Sequence, residues 1–196
     1  DYIERLLRGL KEHWIEHSEV CYNWDKLLAY LFQLVDTPGV LRVERMPHRV
    51  DSSWAWPIIC ELIHSACRND EHCLEASQFD LALSIIKKVF EIPKGRDYEL
   101  GCDPISITAN SIKGIALEAL IGLSLWRCRY DDKQNGNHGS TWALLRPTFE
   151  CELKKAGNFE VNTYAPRYIS NFTYMDKTWV LENLELFFPQ EELAFY

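Results

Sequence analysis

Apolar side chains recur at intervals of three and four residues through most of the chain, the period of a helix buried along one stripe. In "DYIERLLRGLKEHWIEH", Ile3, Leu6, Leu7, Leu10 and Trp14 keep that interval, which predicts an amphipathic helix over 1–17. The next stretch, 23–39, opens on Asn23, a residue suited to an N-cap, and stops at Thr37-Pro38-Gly39. A third helix is expected from near Ser53, because Pro57 is tolerated only in a first turn. A fourth begins at a Ser77 cap and ends before Pro93.

The segment "GCDPISITANSIKGIALEALIGLSLWRCR", 101–129, reads as the fifth and longest helix. Asp103 suits its N-cap, and Pro104 at the first helical position gives up an amide that would be unpaired anyway. Ile105, Ala109, Ile112, Ala116, Ala119, Leu123 and Trp126 then alternate spacings of four and three, while Asn110, Gly114, Leu117, Ile121 and Leu125 form a neighbouring line. A helix apolar over so much of its circumference belongs between two neighbours. Glycine inside a helix costs about 1 kcal/mol relative to alanine, so close approach of another backbone is the expected reason for Gly114. Asn110, one turn earlier, is placed to brace a turn in an adjacent helix pair.

Residues 131–140, "DDKQNGNHGS", read as a loop. Residues 141–157 read as a sixth helix, interrupted or begun late at Pro147 and closed by Gly157. A short helix from about Pro166 and a last one over 177–189, ended by Pro189, complete the chain. Only "VLRVERM", 40–46, carries a modest strand pattern. About eight helices with short links define an all-α fold. Their starts recur every 20–30 residues or so, near the rhythm of paired-helix repeats, which favours an α-solenoid-like array of antiparallel helix pairs over a compact bundle. The expected domain is one helical-repeat segment spanning 1–196.

Composition sharpens this. An apolar content of 47%, with 13% aromatic, is that of a packed body and not of a disordered tail. The net charge of −8 and the lack of clustered Lys and Arg speak against a nucleic-acid partner; Arg127 and Arg129 are followed at once by Asp131 and Asp132. No apolar run approaches the roughly 18–20 residues of a membrane span, and no signal-peptide pattern opens the sequence. Seven cysteines, an odd number without secretory features, suggest reduced thiols and a cytoplasmic setting. Because the helical pattern begins at Asp1 itself, the chain is expected to be part of a longer polypeptide.

Candidate chemistry is sparse. "NSIKG" is no phosphate loop, since G-x-x-x-x-G-K-[ST] is absent and no strand leads in. Cys60, His64 and Cys67 stand at i, i+4 and i+7, with His72 and Cys73 beyond, an N/S set that zinc accepts. Structural zinc sites, however, favour C-x2–4-C turns, and Ile59, Leu62, Ile63 and Ala66 make buried, inert thiols the stronger reading. Cys102 is the thiol best placed for a lowered pKa, but no partner histidine is marked, and His138 sits in the loop. The carboxylate pairs Asp131–Asp132, Glu150/Glu152 and Glu191–Glu192 read as solvated or helix-end charges. No catalytic residue, cofactor or metal is therefore assigned, and the segment is not expected to be an enzyme. Trp54 and Trp56, two apart, cannot both face one core, so one is a candidate partner contact; Asn135 and His138 in the loop are others.

Three segments carry a resemblance: "DPISITANSIKGIALEALIGLSLW", "WALLRPTFECELKKAG" and "PRYISNFTYMDKTWVLENLELFFP". Together they resemble the helical-repeat region of AVAST-type antiviral STAND NTPases and related bacterial multidomain defence proteins. That pattern has an Asp-Pro…Ala-Asn-Ser-x-x-Gly-x-Ala helix, an Arg-Pro-x-x-Glu helix and a closing Asp-x-x-Trp…Phe-Pro element. Asp103, Pro104, Ala109, Asn110, Ser111, Gly114, Ala116, Arg146, Pro147, Asp176, Trp179 and Pro189 match it, while 158–164 depart from its Ser- and Arg-containing segment. The match covers roughly 100–190 and consists mainly of structural residues. It implies a TPR- or HEAT-like sensor arm that grips a phage protein, such as a terminase or portal, with NTPase and effector domains elsewhere in the parent protein and assembly through that parent. A scaffold segment packing only against the rest of its own chain is the alternative.

Overall fold

The computed structural model describes residues 2–17, 22–37, 55–68, 74–91, 103–155 and 158–188. All regular elements among them are helices, so the fold is all-α. The helices group into two compact units, 1–93 and 94–196. The modest strand pattern at 40–46 lies outside the described residues, as do Trp54, Cys102, Gly157 and Pro189.

The first unit holds α1 (Tyr2–Glu16), α2 (Trp24–Asp36), α3 (Ala55–Ala66) and α4 (Phe79–Phe90). Asn23 caps α2 as its side chain suggests, Oδ1 accepting from the Lys26 amide at 3.1 Å. Pro57 falls in the first turn of α3. The start of α4 differs from expectation. Ser77 lies within a 3-10 turn, Ala76–Gln78, and the cap is a reciprocal pair, with the Glu75 amide donating to Gln78 Oε1 at 2.9 Å. Phe79 then opens the helix proper.

In this unit each helix rests mainly on its second neighbour in sequence, α1 on α3 and α2 on α4. That is the neighbour pattern of stacked helix pairs, in which each helix lies on its counterpart in the next pair. The apolar period explains it. Leu7 and Trp14 from α1 and Leu28 and Leu31 from α2 are buried, together with Ile59, Leu62 and Ile63 from α3 and Ala82, Ile85 and Ile86 from α4. Polar clasps mark both stacks: Lys11 with Glu61 across α1 and α3, Lys88 with Asp36 (3.2 Å) across α4 and α2, and Gln78, in the turn before α4, with Asp25 of α2 (2.8 Å). Trp14 packs edge-on against Trp24, 5.0 Å between centroids.

The second unit departs from expectation at its centre. The long helix predicted over 101–129 is two helices, α5 (Pro104–Ala109) and α6 (Ile112–Asn135). Asp103 does cap α5, Oδ2 accepting from the Ser106 amide at 2.9 Å, but the helix it starts closes after one and a half turns. Two side chains make the break. Asn110 Nδ2 donates back to the Ser106 carbonyl at 2.8 Å, so it braces its own helix end and not a turn in another pair. Ser111 caps α6, accepting from the Gly114 amide and donating to the Thr108 carbonyl, each at 2.9 Å. The backbone that approaches Gly114 is the preceding turn of its own chain: a Cβ there would lie 2.0 Å from the Thr108 carbonyl oxygen. Beyond Gly114 the first predicted apolar line is buried from Ala116 to Trp126, and the second is buried at Leu117 and Ile121 and half-buried at Leu125. Ser111→Ala should lower the stability of this unit by about 1–2 kcal/mol, since a buried cap is lost, readable as a shifted urea midpoint. An unchanged midpoint would remove the cap as the cause of the break.

The expected loop at 131–140 is largely helical. α6 runs to Asn135 and α7 (Gly139–Lys154) begins four residues later. Gly136 stops α6 in the left-handed region (φ 68°), its amide donating to the Asp132 carbonyl at 2.9 Å. Pro147 lies inside a continuous α7 and does not interrupt it. Proline removes one helical amide, which would have bonded the Ala143 carbonyl; the remaining bonds and the buried stripe Trp142, Leu145, Phe149 and Leu153 carry the helix past it. The closing region is α8 (Phe159–Tyr164), a 3-10 turn (Ala165–Tyr168), α9 (Ile169–Glu182) and α10 (Leu184–Phe187). The last helix predicted over 177–189 is thus broken at Asn183, whose Nδ2 donates to the Trp179 carbonyl at 2.8 Å. α6 is the hub, packed against α5, α7, α8 and α9.

Candidate functional site

The residues that carry chemistry in the second unit converge where the end of α6, the start of α7 and the middle of α9 meet. Asp176 interrupts α9 with extended backbone (φ −161°, ψ 97°) and caps the resumed helix, its Oδ1 accepting from the Trp179 amide at 2.9 Å. The other oxygen of the same carboxylate accepts from Trp142 Nε1 at 2.9 Å. Trp179 in turn donates Nε1–H to Glu150 Oε1 at 2.8 Å, and Glu150 pairs with Arg146 (3.4 Å) and Lys154 (3.5 Å). The Arg-Pro-x-x-Glu and Asp-x-x-Trp motifs are therefore two halves of one assembly. Beneath it Trp142, Phe149, Phe172, Trp179 and Phe187 form an aromatic cluster with centroid separations of 4.9–6.1 Å.

The acidic pair Asp131–Asp132, expected on a solvated face, is instead bound. Asp131 is buried, accepting from the Thr141 hydroxyl and held by Arg127 Nε at 3.3 Å. Asp132 accepts from Tyr174 Oη at 2.6 Å and faces His138 Nδ1 at 2.8 Å. These hydrogen bonds, Tyr174 first, hold the Asp132 carboxyl below the usual carboxylate range. Burial and then the bond to Asp132 push the Tyr174 phenol up to about 12. His138, expected as an exposed contact in a loop, is mostly covered and fixed at both ring nitrogens. Asn135 is exposed at the end of α6, and Trp56 is buried at 5% exposure in α3, so it offers no exposed anchor.

The thiols are set apart from this chemistry. Cys60 and Cys67 are buried, and burial drives the Cys60 thiol far above its ordinary pKa. Burial, aided by Asp132 and Asp131, pushes Cys128 up to about 12. Among the described residues no group of three or more His, Cys, Asp or Glu is arranged to hold a metal ion; His72 and Cys73 lie outside them. No helix among the described residues is long and apolar enough to cross a membrane. A shallow hollow of about 480 Å³ lies between the start of α5 and the turn after α8, walled by Pro104, Ile105 and Tyr164, with Asp103 and Arg167 at its lip.

Sequence reasoning singled out Asp103, Pro104, Asn110, Gly114, Pro147 and Trp179 as structural; the first two start α5, and Asn110 and Gly114 act at the α5–α6 break. It missed Trp142, Asp132 and Tyr174. One local signal was present: Asn135-Gly136 has the form of a helix end followed by a left-handed glycine, which places Asp131 and Asp132 inside the helix. The bonds from Trp142 and Trp179 span 34 and 29 residues and leave no mark in local spacing. Comparison of the chain with known protein families, with curated proteins and with solved structures returns no match. What fold and site define is an all-α helical array whose helix breaks are capped by side chains.

Proposed function

We propose that this chain is a protein-binding sensor segment of a bacterial anti-phage STAND NTPase, built as a solenoid-like array of helix pairs. The observation that carries the reading is the convergence of the resemblance-bearing residues Arg146, Asp176 and Trp179, joined through Glu150, in one assembly across α7 and α9. Those residues support a scaffold, and recognition falls to the surface they hold. Leu144, Leu181, Leu184 and Phe188 are exposed apolar side chains on that part of the unit, suited to a partner's desolvated core contacts. Binding of a phage packaging or structural protein there biases the parent protein towards an assembled state.

The test presents the immobilised chain with purified phage terminase large subunits and portal proteins. Saturable binding of one class is expected, weakened at least tenfold by Leu181→Asp. A folded chain that binds neither class would sink the reading and leave the segment as an internal scaffold. The parent polypeptide is also expected to carry a Walker A loop outside these residues, and its absence would remove the STAND assignment.

A further inference from the structure

His138 stands in the link between α6 and α7 with an acceptor at each ring nitrogen. Nδ1 lies 2.8 and 2.9 Å from the two Asp132 oxygens, and Nε2 lies 3.0 Å from the Met175 carbonyl oxygen. An ionised carboxylate and a backbone carbonyl only accept. A neutral imidazole has a single N–H, so it satisfies one of these contacts and turns a lone pair on the other. Only the imidazolium makes both.

The Met175 carbonyl is not an arbitrary partner. In an unbroken helix its donor would be the amide four residues on, that of Trp179. Here the Trp179 amide donates to Asp176 Oδ1 instead, and α9 breaks at Asp176. His138 Nε2–H takes the place of the missing amide. The ring is steadied by Tyr174, stacked on it at 5.3 Å between centroids, whose hydroxyl donates to the same Asp132 carboxylate. One protonated ring thus ties the end of α6 to the break in α9.

We propose that this junction is a proton-operated latch: protonated His138 holds the break in α9 against the end of α6, and loss of the proton releases it. The groups acting on the ring are Asp132 and Asp131 from α6 and, from α9, the Met175 carbonyl and the stacked Tyr174; Arg127 pairs with Asp131, and Cys128 and Arg129 act in turn on Tyr174. Burial pulls the His138 pKa down. The Asp132 hydrogen bond, the Met175 carbonyl and the charges of Asp132 and Asp131 outweigh it, and the net direction is up from 6.5. A pKa raised by folding means a contribution that is complete below 6.5 and disappears as pH climbs through the folded value. Asp132, with its pKa lowered from 3.8, contributes above that value and fails only in stronger acid. The latch is closed below 6.5 and opens as pH rises through the raised folded value of His138.

The experiment tracks the full chain by hydrogen exchange and by ¹⁵N NMR of the histidine rings between pH 5 and 9. At low pH both His138 nitrogens are expected to carry protons. Exchange protection of the amides of 173–182, corrected for intrinsic rate, should fall several-fold as His138 titrates above 6.5. Asp132→Asn should move that step down by roughly one pH unit or more, and His138→Gln should abolish it. A His138 ring that titrates below 6.5, or that carries a single proton at pH 5.5, would overturn the latch. So would α9 protection that stays level through the titration. The wild-type ring titration decides the matter even if a variant fails to fold.

Discussion

Alanine at Gly114 is expected to destabilise the second unit by about 3 kcal/mol or more, the upper range for overpacking a site that cannot relax. The added Cβ would meet the Thr108 carbonyl oxygen at 2.0 Å, its carbon at 2.8 Å and its Cγ2 at 2.9 Å. A backbone carbonyl does not swing aside as the tip of a lysine would. This one also accepts from the Ser111 amide at 3.0 Å and from the Ser111 hydroxyl at 2.9 Å. Helix propensity alone argues the other way, favouring alanine by about 1 kcal/mol, so the sign of the result separates the two effects. Gly9 is the control, an exposed glycine in α1 with nothing within 4 Å of its virtual Cβ. Gly9→Ala should stabilise by up to about 1 kcal/mol. Urea midpoints of the two variants read both effects, and a Gly114→Ala chain as stable as wild type would refute the close approach.

Trp179→Ala should cost about 3–5 kcal/mol, as for other large aromatics cut from a core. The ring is 4% exposed and packs edge-on against Trp142 at 5.1 Å and Phe187 at 5.7 Å. Its removal leaves a cavity in the aromatic cluster and takes one donor from Glu150, which keeps Arg146 and Lys154. Trp179→Phe keeps most of the packing and loses the hydrogen bond, so about 1–2 kcal/mol is expected. The comparison tells packing from bonding: equal losses for Ala and Phe would make the bond to Glu150 dominant. Because Trp179 lies just past the break at Asp176, its loss should also raise exchange of the α9 amides, at every pH and not only above the His138 titration.

The helical character of the chain was legible from the period of its apolar residues, because burying one stripe of a helix needs side chains every three or four positions. Local capping chemistry was legible too. Asn23, Asp103 and Pro104 do what their side chains allow within one turn, where no distant residue has a vote. Gly114 was read in kind: a backbone does approach it, though that of Thr108 in its own chain.

What the period does not reveal is where a helix breaks. The apolar lines run on through Asn110 and Ser111 as if one helix continued, and two side chains bonded to backbone end it. The acidic pair Asp131–Asp132 looks solvated by composition, and only tertiary contact with Thr141, His138 and Tyr174 shows it bound. Likewise Pro147 breaks a helix by local rule, yet α7 passes through it because the buried face of Trp142, Leu145 and Phe149 outweighs one lost bond.

The sequence by itself thus determined the class of structure, all-α, together with the caps at Asn23 and Asp103, since these depend on interactions within a turn or two. The tertiary structure alone decided which polar side chains meet. His138, Asp132, Tyr174, Asp176, Trp142, Trp179 and Glu150 are spread over about fifty residues, and the energy that joins them is set by burial and by donors matched to acceptors in space.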